Sequence, residues 1–360
     1  MAESLTISEP IEPTPRRPGI GGPSRPSAAT VREARAIPVA DTRRGAAARA
    51  EGSDPLSPLE AVARMSMTVR WVVVSVITVP LVVVLATPLV VWGWGFHWVD
   101  LGLLLGMYLL TGLGITVGFH RLFTHRSFET STPVKVVLGV LGSMTVQGSL
   151  MEWVALHRRH HQYSDAEGDP HSPVHGSEEN GVRGVLRGFW HAHVGWIVRP
   201  GPFELDRYVT DLRQSRALRI VDAMFAAWVA LGLLIPAALG GLLTGSWAGA
   251  LTGLIWGGPV RIFLVHHITW SINSACHIWG SQPFETNDES RDNVLFGLLA
   301  WGEGWHNAHH AFPTSARHGL DWWKLDVSYG FIWVLARLGL AWKVKLPSRE
   351  AQLRRRRAVS

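Results

Sequence analysis

Val134-Lys-Val-Val-Leu-Gly-Val-Leu-Gly-Ser-Met-Thr-Val-Gln-Gly-Ser-Leu150 is seventeen residues long with a single charge, Lys135. It is nearly long enough to cross a bilayer, which takes about 20 apolar residues. Before it lies His120-Arg-Leu-Phe-Thr-His125, and after it His157-Arg-Arg-His160-His161. If 134–150 crossed, those histidine strings would face opposite sides of a membrane and no single site could collect both. Read as a buried or interfacial helix, it leaves them together.

A third string, Trp305-His306-Asn-Ala-His309-His310, repeats the i, i+3, i+4 spacing of the second. On a 3.6-residue helix those positions share a face, so three imidazoles can converge on one point. Neutral imidazole is the commonest protein ligand for transition metals and suits iron, copper and zinc. A histidine-rich helix face is otherwise a solvent patch, but two strings of identical spacing plus a third pair argue for metal. The eight histidines (His120, His125, His157, His160, His161, His306, His309, His310) exceed what one tetrahedral zinc takes and suit two metals with open positions. No His-Glu-x-x-His helix is present, which argues against a zinc protease. His120 and His125 are five apart and do not share a face of a regular helix, so they are expected at a frayed helix end.

The flanking sequence sets the topology. Trp71 to Trp94 is almost unbroken Val, Leu, Ile and Trp, kinked at Pro80 and Pro88, and spans a bilayer. After the short break Phe96-His-Trp-Val-Asp100, a second span covers about 101–119. A third covers about 220–243 and a fourth about 247–268, joined at Thr244-Gly-Ser246. Arg43, Arg44, Arg64 and Arg70 precede the first span, and the following loop has no Lys or Arg, so the N-terminus is cytoplasmic. Residues 327–342, which contain Arg337, do not count as a span. Four spans then put all three strings on the cytoplasmic side. Arg261 inside the fourth span must face protein, water or a partner, which makes it a functional suspect.

Composition agrees with this layout. The 360 residues are 47% hydrophobic and 17% charged with 18 Trp, the balance of a membrane protein with a polar portion. The net charge of +6 would suit nucleic acid, but much of it lies in Arg354-Arg-Arg-Arg357, where a membrane-surface role is simpler. The lone Cys276 excludes an internal disulfide and a Cys-based metal site. Residues 1–60 lack an apolar signal segment and are expected to be disordered. The expected organisation is a tail to residue 60, a membrane domain over 61–345 with a cytoplasmic cap of 120–216 and 269–345, and a basic tail over 346–360.

Two redox metals at headgroup level suggest oxygen chemistry on a lipid chain, because side-chain acids and bases cannot break an unactivated C–H bond. From Gly114 to Pro313 the chain resembles the membrane fatty acyl desaturases of the stearoyl-CoA (Δ9) type, in a bacterial form. The matching segments are Gly114-Ile-Thr-Val-Gly-Phe-His-Arg-Leu-Phe-Thr-His125, Glu152-Trp153, His157 to His161, Asp169-Pro-His171, His193-Val-Gly-Trp196, Asn273-Ser-Ala-Cys-His277 and Gly302-Glu-Gly-Trp-His-Asn-Ala-His-His-Ala-Phe-Pro313.

The resemblance implies a di-iron site with a ninth ligand at His277 and Asn273 near one iron through water. From the residues alone, His277 reads as a satisfied histidine beside a membrane end. The resemblance also implies a bent substrate tunnel lined by Gln147, Trp153 and Thr269, with a kink nine carbons from the thioester. Asp165, Asp169 and Glu303 are candidates for carboxylates that orient the imidazoles. Arg158, Arg159 and Arg199 are candidate contacts for the acyl carrier. Animal relatives carry Arg-Asp before the second string, where this chain has Ala155 and Leu156, and Pro200 replaces a lysine after Arg199. CoA is the favoured carrier, with acyl carrier protein or phospholipid as alternatives. His171 reads as structural, His191 and His193 as packing or headgroup contacts, His266 and His267 as snorkelling groups, and His97, His175 and His318 as ordinary.

The expected fold is therefore an all-α integral membrane protein, with four transmembrane helices and a cytoplasmic helical cap holding a histidine-rich di-iron site. The expected activity is O2-dependent insertion of a cis double bond into a long acyl chain, using two irons. No His-Pro-Gly-Gly, flavin or nicotinamide fingerprint occurs, so electrons come from an external donor such as a ferredoxin or flavin reductase. The rivals are a hydroxylase or alkane monooxygenase with the same boxes, and a non-catalytic metal- or haem-binding membrane protein.

Overall fold

A bilayer core about 30 Å thick demands helices whose backbone groups are all paired internally. The computed structural model describes residues 67–176, 181–199 and 204–357; the segment 1–60, Pro200 and the His175 side chain lie outside that description. Among the described residues, four helices are long and apolar enough to cross a membrane. The first, α1 (Met67–Trp94), runs through both Pro80 and Pro88 and buries almost none of its side chains. The second, α2 (Trp98–Leu113), begins where Asp100 accepts a hydrogen bond from His97 N at 3.0 Å. It continues without a break as a π-helix over Gly114–Thr124.

Residues 134–150 do not cross. They divide between α3 (Thr132–Ser143), with proline in its first turn, and the start of α4 (Leu150–Tyr163). Twelve residues of α3 reach about 18 Å, well short of the hydrocarbon core. α3 lies against the π-helical part of α2 and against α4, and the main core sits there, around Phe119, Leu122, Leu138, Leu150 and Val154.

After α5 (Val182–Trp190) and its π-turn His191–Gly195, the chain forms α6 (Arg216–Ala223), capped by Ser215. The third long helix, α7 (Phe225–Thr244), therefore begins later than residue 220, because α6 is a separate helix burying Leu218 and Val221. Gly245 at φ 63° turns the chain into α8, which starts as Trp247–Ile255. The two helices meet through glycines: a Cβ on Gly240 would lie 2.2 Å from Gly249 O.

α8 passes a π-turn at Trp256–Val260, where Gly258 leaves helical geometry (φ −101°, ψ −106°), and resumes over Arg261–Ser274 and Ala275–His277. It thus outruns its expected end at 268 and carries Thr269, Asn273 and His277 on one rigid path. Further along the chain lie α9 (Val294–Leu299), α10 (His306–Ala311), α11 (Val327–Arg337) and α12 (Arg349–Arg355). One small antiparallel pair joins β1 (Glu129–Thr130) to β2 (Ala341–Trp342).

Candidate metal centre

Each histidine string is held by a helix with a defined start. A capping box opens α4, with Ser149 N donating to Glu152 Oε2 at 3.1 Å. Asp292 Oδ1 accepts from Ala308 N at 3.1 Å and fixes the first turn of α10. The expected fraying at His120 and His125 does not occur. The π-helix closes with His125 N bonded to His120 O at 3.1 Å, an i→i+5 bond. Residues five apart lie about 140° apart on an α-helix, but i→i+5 winding brings them into successive turns of the same side.

The strings do not converge on one point. They divide between two groups of ring nitrogens, within each of which one atom per residue lies within 4.8 Å of all the others. One group is His120, His125, His157, His161 and His309; the other is His160, His277, His306 and His310. The i, i+4 pairs stay together, since they are offset by only about 40° around a helix. The i+3 residue, about 60° to the other side of the first, goes to the other group. α4 thus supplies a pair to the first group and His160 to the second, and α10 supplies a pair to the second and His309 to the first.

Carboxylates hold the outer edge of four rings. Asp169 lies 2.9 Å from His160 Nδ1, Asp165 2.9 Å from His277 Nδ1, Asp288 2.7 Å from His310 Nδ1 and Glu303 2.5 Å from His120 Nδ1. Burial opposes charge on these aspartates, but the imidazole hydrogen bonds and charges outweigh it. Asp165 is lowered to about 2, and Asp169 and Asp288 lie well below the usual carboxylate range. Desolvation, aided by the neighbouring imidazoles, pushes His157, His161, His306 and His309 well below the ordinary histidine value. Burial also takes His310 down to about 4 against the pull of Asp288. His160 is the exception: burial lowers it, but Asp169 raises it more.

Most of these rings are therefore neutral at physiological pH, the form that ligates metal. His160 and His310 each meet a carboxylate at Nδ1 and approach one another through Nε2 at 3.4 Å, the nitrogens a metal ion would take. The buried His125 Nε2 has no hydrogen-bond partner among the described residues. Both groups fit a metal ion apiece.

A cavity of about 1050 Å³ runs past the centre. His120, His157 and His306 line it, together with Gln147, Trp153, Thr269 and Asn273. Val69, Val72, Val73 and Val76 of α1 form part of its wall. Gln147 Nε2 donates to Thr269 Oγ1 at 2.9 Å, and Trp153 stacks on His157 with ring centroids 5.0 Å apart. Val146 at φ 63° and Gly148 at φ 101° flank Gln147, and a β-branched residue is strained there.

A family model described as fatty acid desaturase matches residues 93–327, more than half of the chain. The chain belongs to the fatty acid desaturase family. The chain is 46% identical over 260 residues to the hex-5-enoyl-[acyl-carrier protein] acetylenase of Moorena producens (strain JHB), covering 71% of this chain and 80% of that one. It is 39% identical to the sn-1 stearoyl-lipid 9-desaturase of Anabaena variabilis, covering 71% and 87%. The icosanoyl-CoA 5-desaturase of Limnanthes douglasii is also 39% identical, covering 74% and 70%.

The structure places several other residues differently from the sequence reading. Arg158 is not at the cavity wall. Its guanidinium bonds Phe123 O, Tyr208 O and both carboxylate oxygens of Asp211 at 2.6–3.0 Å, tying α4 to the end of α2. Arg159 and Arg199 do line the cavity. His266 does not snorkel; it is buried, 2.7 Å from Thr145 O. His193 pairs with His267 at 3.0 Å.

His318, read as ordinary, is fully enclosed beside the five-histidine group, its ring centroid 4.4 Å from that of His309. Its Nδ1 lies 3.1 Å from the buried guanidinium of Arg121, which also meets Asp326 at 2.9 Å and Glu303 at 3.2 Å. Asp288 was missed because it sits in an irregular acidic loop with no spacing relation to any box. Proximity to His277 in sequence was its one signal.

Proposed function

We propose that this desaturase inserts a cis double bond into a long saturated acyl chain, with O2 as oxidant and two irons as cofactor. The observation that carries the reading is one cavity lined at once by box histidines and by the Gln147–Trp153–Thr269 bracket. Bound iron supplies the oxidising power for C–H cleavage that no side chain has. His120, His125, His157, His161 and His309 would hold one ion, and His160, His277, His306 and His310 the other, with Asn273 reaching the second through water.

The protein positions and encloses. Trp153 and His157 present parallel faces, so a chain threaded past the indole lies against a ligand ring. Gln147 and Thr269 bridge the passage there, fixing which carbons stop beside the histidines, and we assign the ninth and tenth. Asp165, Asp169, Asp288 and Glu303 keep four imidazoles aimed inward. The apolar lining excludes water from the reacting carbons.

For the carrier we favour a membrane lipid over CoA. The α1 valines in the cavity wall and the unavailability of Arg158 support it, as do relatives whose names specify acyl-lipid substrates. The active site and both termini are assigned to the cytoplasmic side of the cell membrane, where an external donor supplies electrons.

Expression in a desaturase-deficient host, with double-bond mapping of each lipid class and of the acyl-CoA pool, tests this. New Δ9 unsaturation appearing first in intact lipids is expected, and its loss with His160→Ala, together with a drop in iron content. A product heavier by one oxygen would make the protein a hydroxylase, and a Soret band in the pure protein would make it a haem protein.

A further inference from the structure

The metal centre makes no use of the chain's largest block of charge. From Lys343 to Arg357 there are seven Lys or Arg and one Glu, an excess of six that equals the formal charge of the whole chain. The sequence suggests a loose tail at the membrane surface. In the structure this segment is instead a strap across the third histidine box. Glu285 N donates to Arg355 O at 2.7 Å, and Arg357 N to Pro283 O at 2.9 Å. Arg355 Nη1 donates to Ala311 O at 2.7 Å, and Arg356 pairs with Asp321 at 2.7 Å.

Between the strap and residues 311–315 lies a groove of about 600 Å³, edged by Lys345, Arg354 and Arg355. Its floor includes Ala311, the residue after His310, so one peptide unit separates it from a ring of the four-histidine group. The opposite end of α10 presents His306 to the substrate cavity. α10 therefore has the acyl chain at one end and a basic groove at the other.

Resting on the desaturase reading, we infer that this groove is the docking site of an acidic one-electron carrier protein of the ferredoxin class. Removing two hydrogens from –CH2–CH2– while one O2 becomes two waters consumes two further electrons and two protons. Each reduced carrier gives up one electron and leaves oxidised, so two dockings serve each turnover. The four-histidine group is buried, so no carrier touches a metal there and electrons must cross protein to reach it. At the groove the covalent path inward is the His310–Ala311 link. A basic rim speeds encounter with an acidic partner and orients it.

The test uses the full-length, iron-loaded enzyme in detergent. Turnover is driven either by an acidic [2Fe–2S] ferredoxin with its reductase or by dithionite with methyl viologen, which needs no docking site. Lys345→Glu with Arg354→Glu should raise KM for ferredoxin about tenfold or more, leaving iron content and viologen-driven turnover unchanged. Wild-type ferredoxin turnover should also fall as salt is raised from about 0.05 to 0.5 M, a readout that does not depend on the variant folding. An unchanged KM, or a variant that loses only binding to anionic phosphatidylglycerol vesicles, overturns the docking site. If the wild type forms no double bond with either reductant, it is the desaturase reading that fails.

Discussion

Asp288 Oδ2 lies 2.7 Å from His310 Nδ1, so a residue in an irregular loop fixes the tautomer of the last histidine in the third box. With Asp165 and Asp169 it gives the four-histidine group three carboxylate supports, against Glu303 alone, among the described residues, for the five-histidine group. A carboxylate on Nδ1 raises the basicity of Nε2 and locks the ring in place, and its loss typically costs 10–100-fold in metal affinity or activity. Asp288→Asn should therefore lower bound iron and turnover together, by about tenfold or more. Metal analysis of the purified variant decides it: full iron occupancy at wild-type turnover would remove Asp288 from the site.

Arg261 proves to be a structural tie. Inside α7, Pro236 has no N–H to give to Gly232 O, and Arg261 Nη2 supplies the missing donor at 3.0 Å. Its other nitrogens bond Met144 O at the end of α3 (2.6 Å) and Gly257 O (3.1 Å). Arg261→Met strands these carbonyls, each at about 1–3 kcal/mol, and should lower the Tm in detergent by several degrees. Adding Pro236→Ala returns an N–H to Gly232 O, so the double variant should melt above Arg261→Met. Strict additivity of the two changes would refute the pairing.

These cases mark where the sequence is legible. Spans are readable because hydrocarbon demands about 20 apolar residues, and the identity of 134–150 followed from requiring the histidines on one side. The i, i+3, i+4 strings are readable because a helix repeats. What they could not tell is that the i+3 residue would cross to a second group, since that depends on where the partner helix lies. Neither His120 with His125 nor Asp288 with His310 obeys an α-helical period: one pair uses π-winding and the other a loop. His318 and Arg121 join through tertiary packing alone. The arginine run at 354–357 looked free because nothing local in sequence pairs with most of it.

Acid should loosen the junction between α4 and α2 through Asp211. Burial raises its carboxyl, but hydrogen bonds and charge from Arg158, then Arg126, bring it down to about 2. A depressed folded-state value stabilises the fold above the unfolded pKa of about 3.9, and that contribution fades as pH falls toward about 2. Asp211→Asn should thus melt below wild type at neutral pH, with the gap closing between about pH 4 and 2. A gap independent of pH across that window would show that the ion pair adds nothing. Because the group is partly exposed, added salt should narrow the neutral-pH gap as well.

Thr269 Oγ1 accepts from Gln147 Nε2 at 2.9 Å and donates to Val265 O at 2.8 Å, so the bracket across the cavity hangs on one hydroxyl. Thr269→Val keeps nearly the same shape but removes both the acceptor and the donor. Gln147, held on a strained turn between Val146 and Gly148, then has no fixed partner across the passage. A chain that stops one carbon early or late presents different hydrogens to the metals, and misplacement of about 1 Å can cost up to 10²-fold in rate. The variant should retain its iron, turn over about tenfold more slowly, and spread its double bonds to positions adjacent to the wild-type one. Mapping the products by mass spectrometry separates this from a general loss of stability, which would lower the rate without moving the bond. A single unshifted position at full rate would mean that the stop lies elsewhere in the cavity.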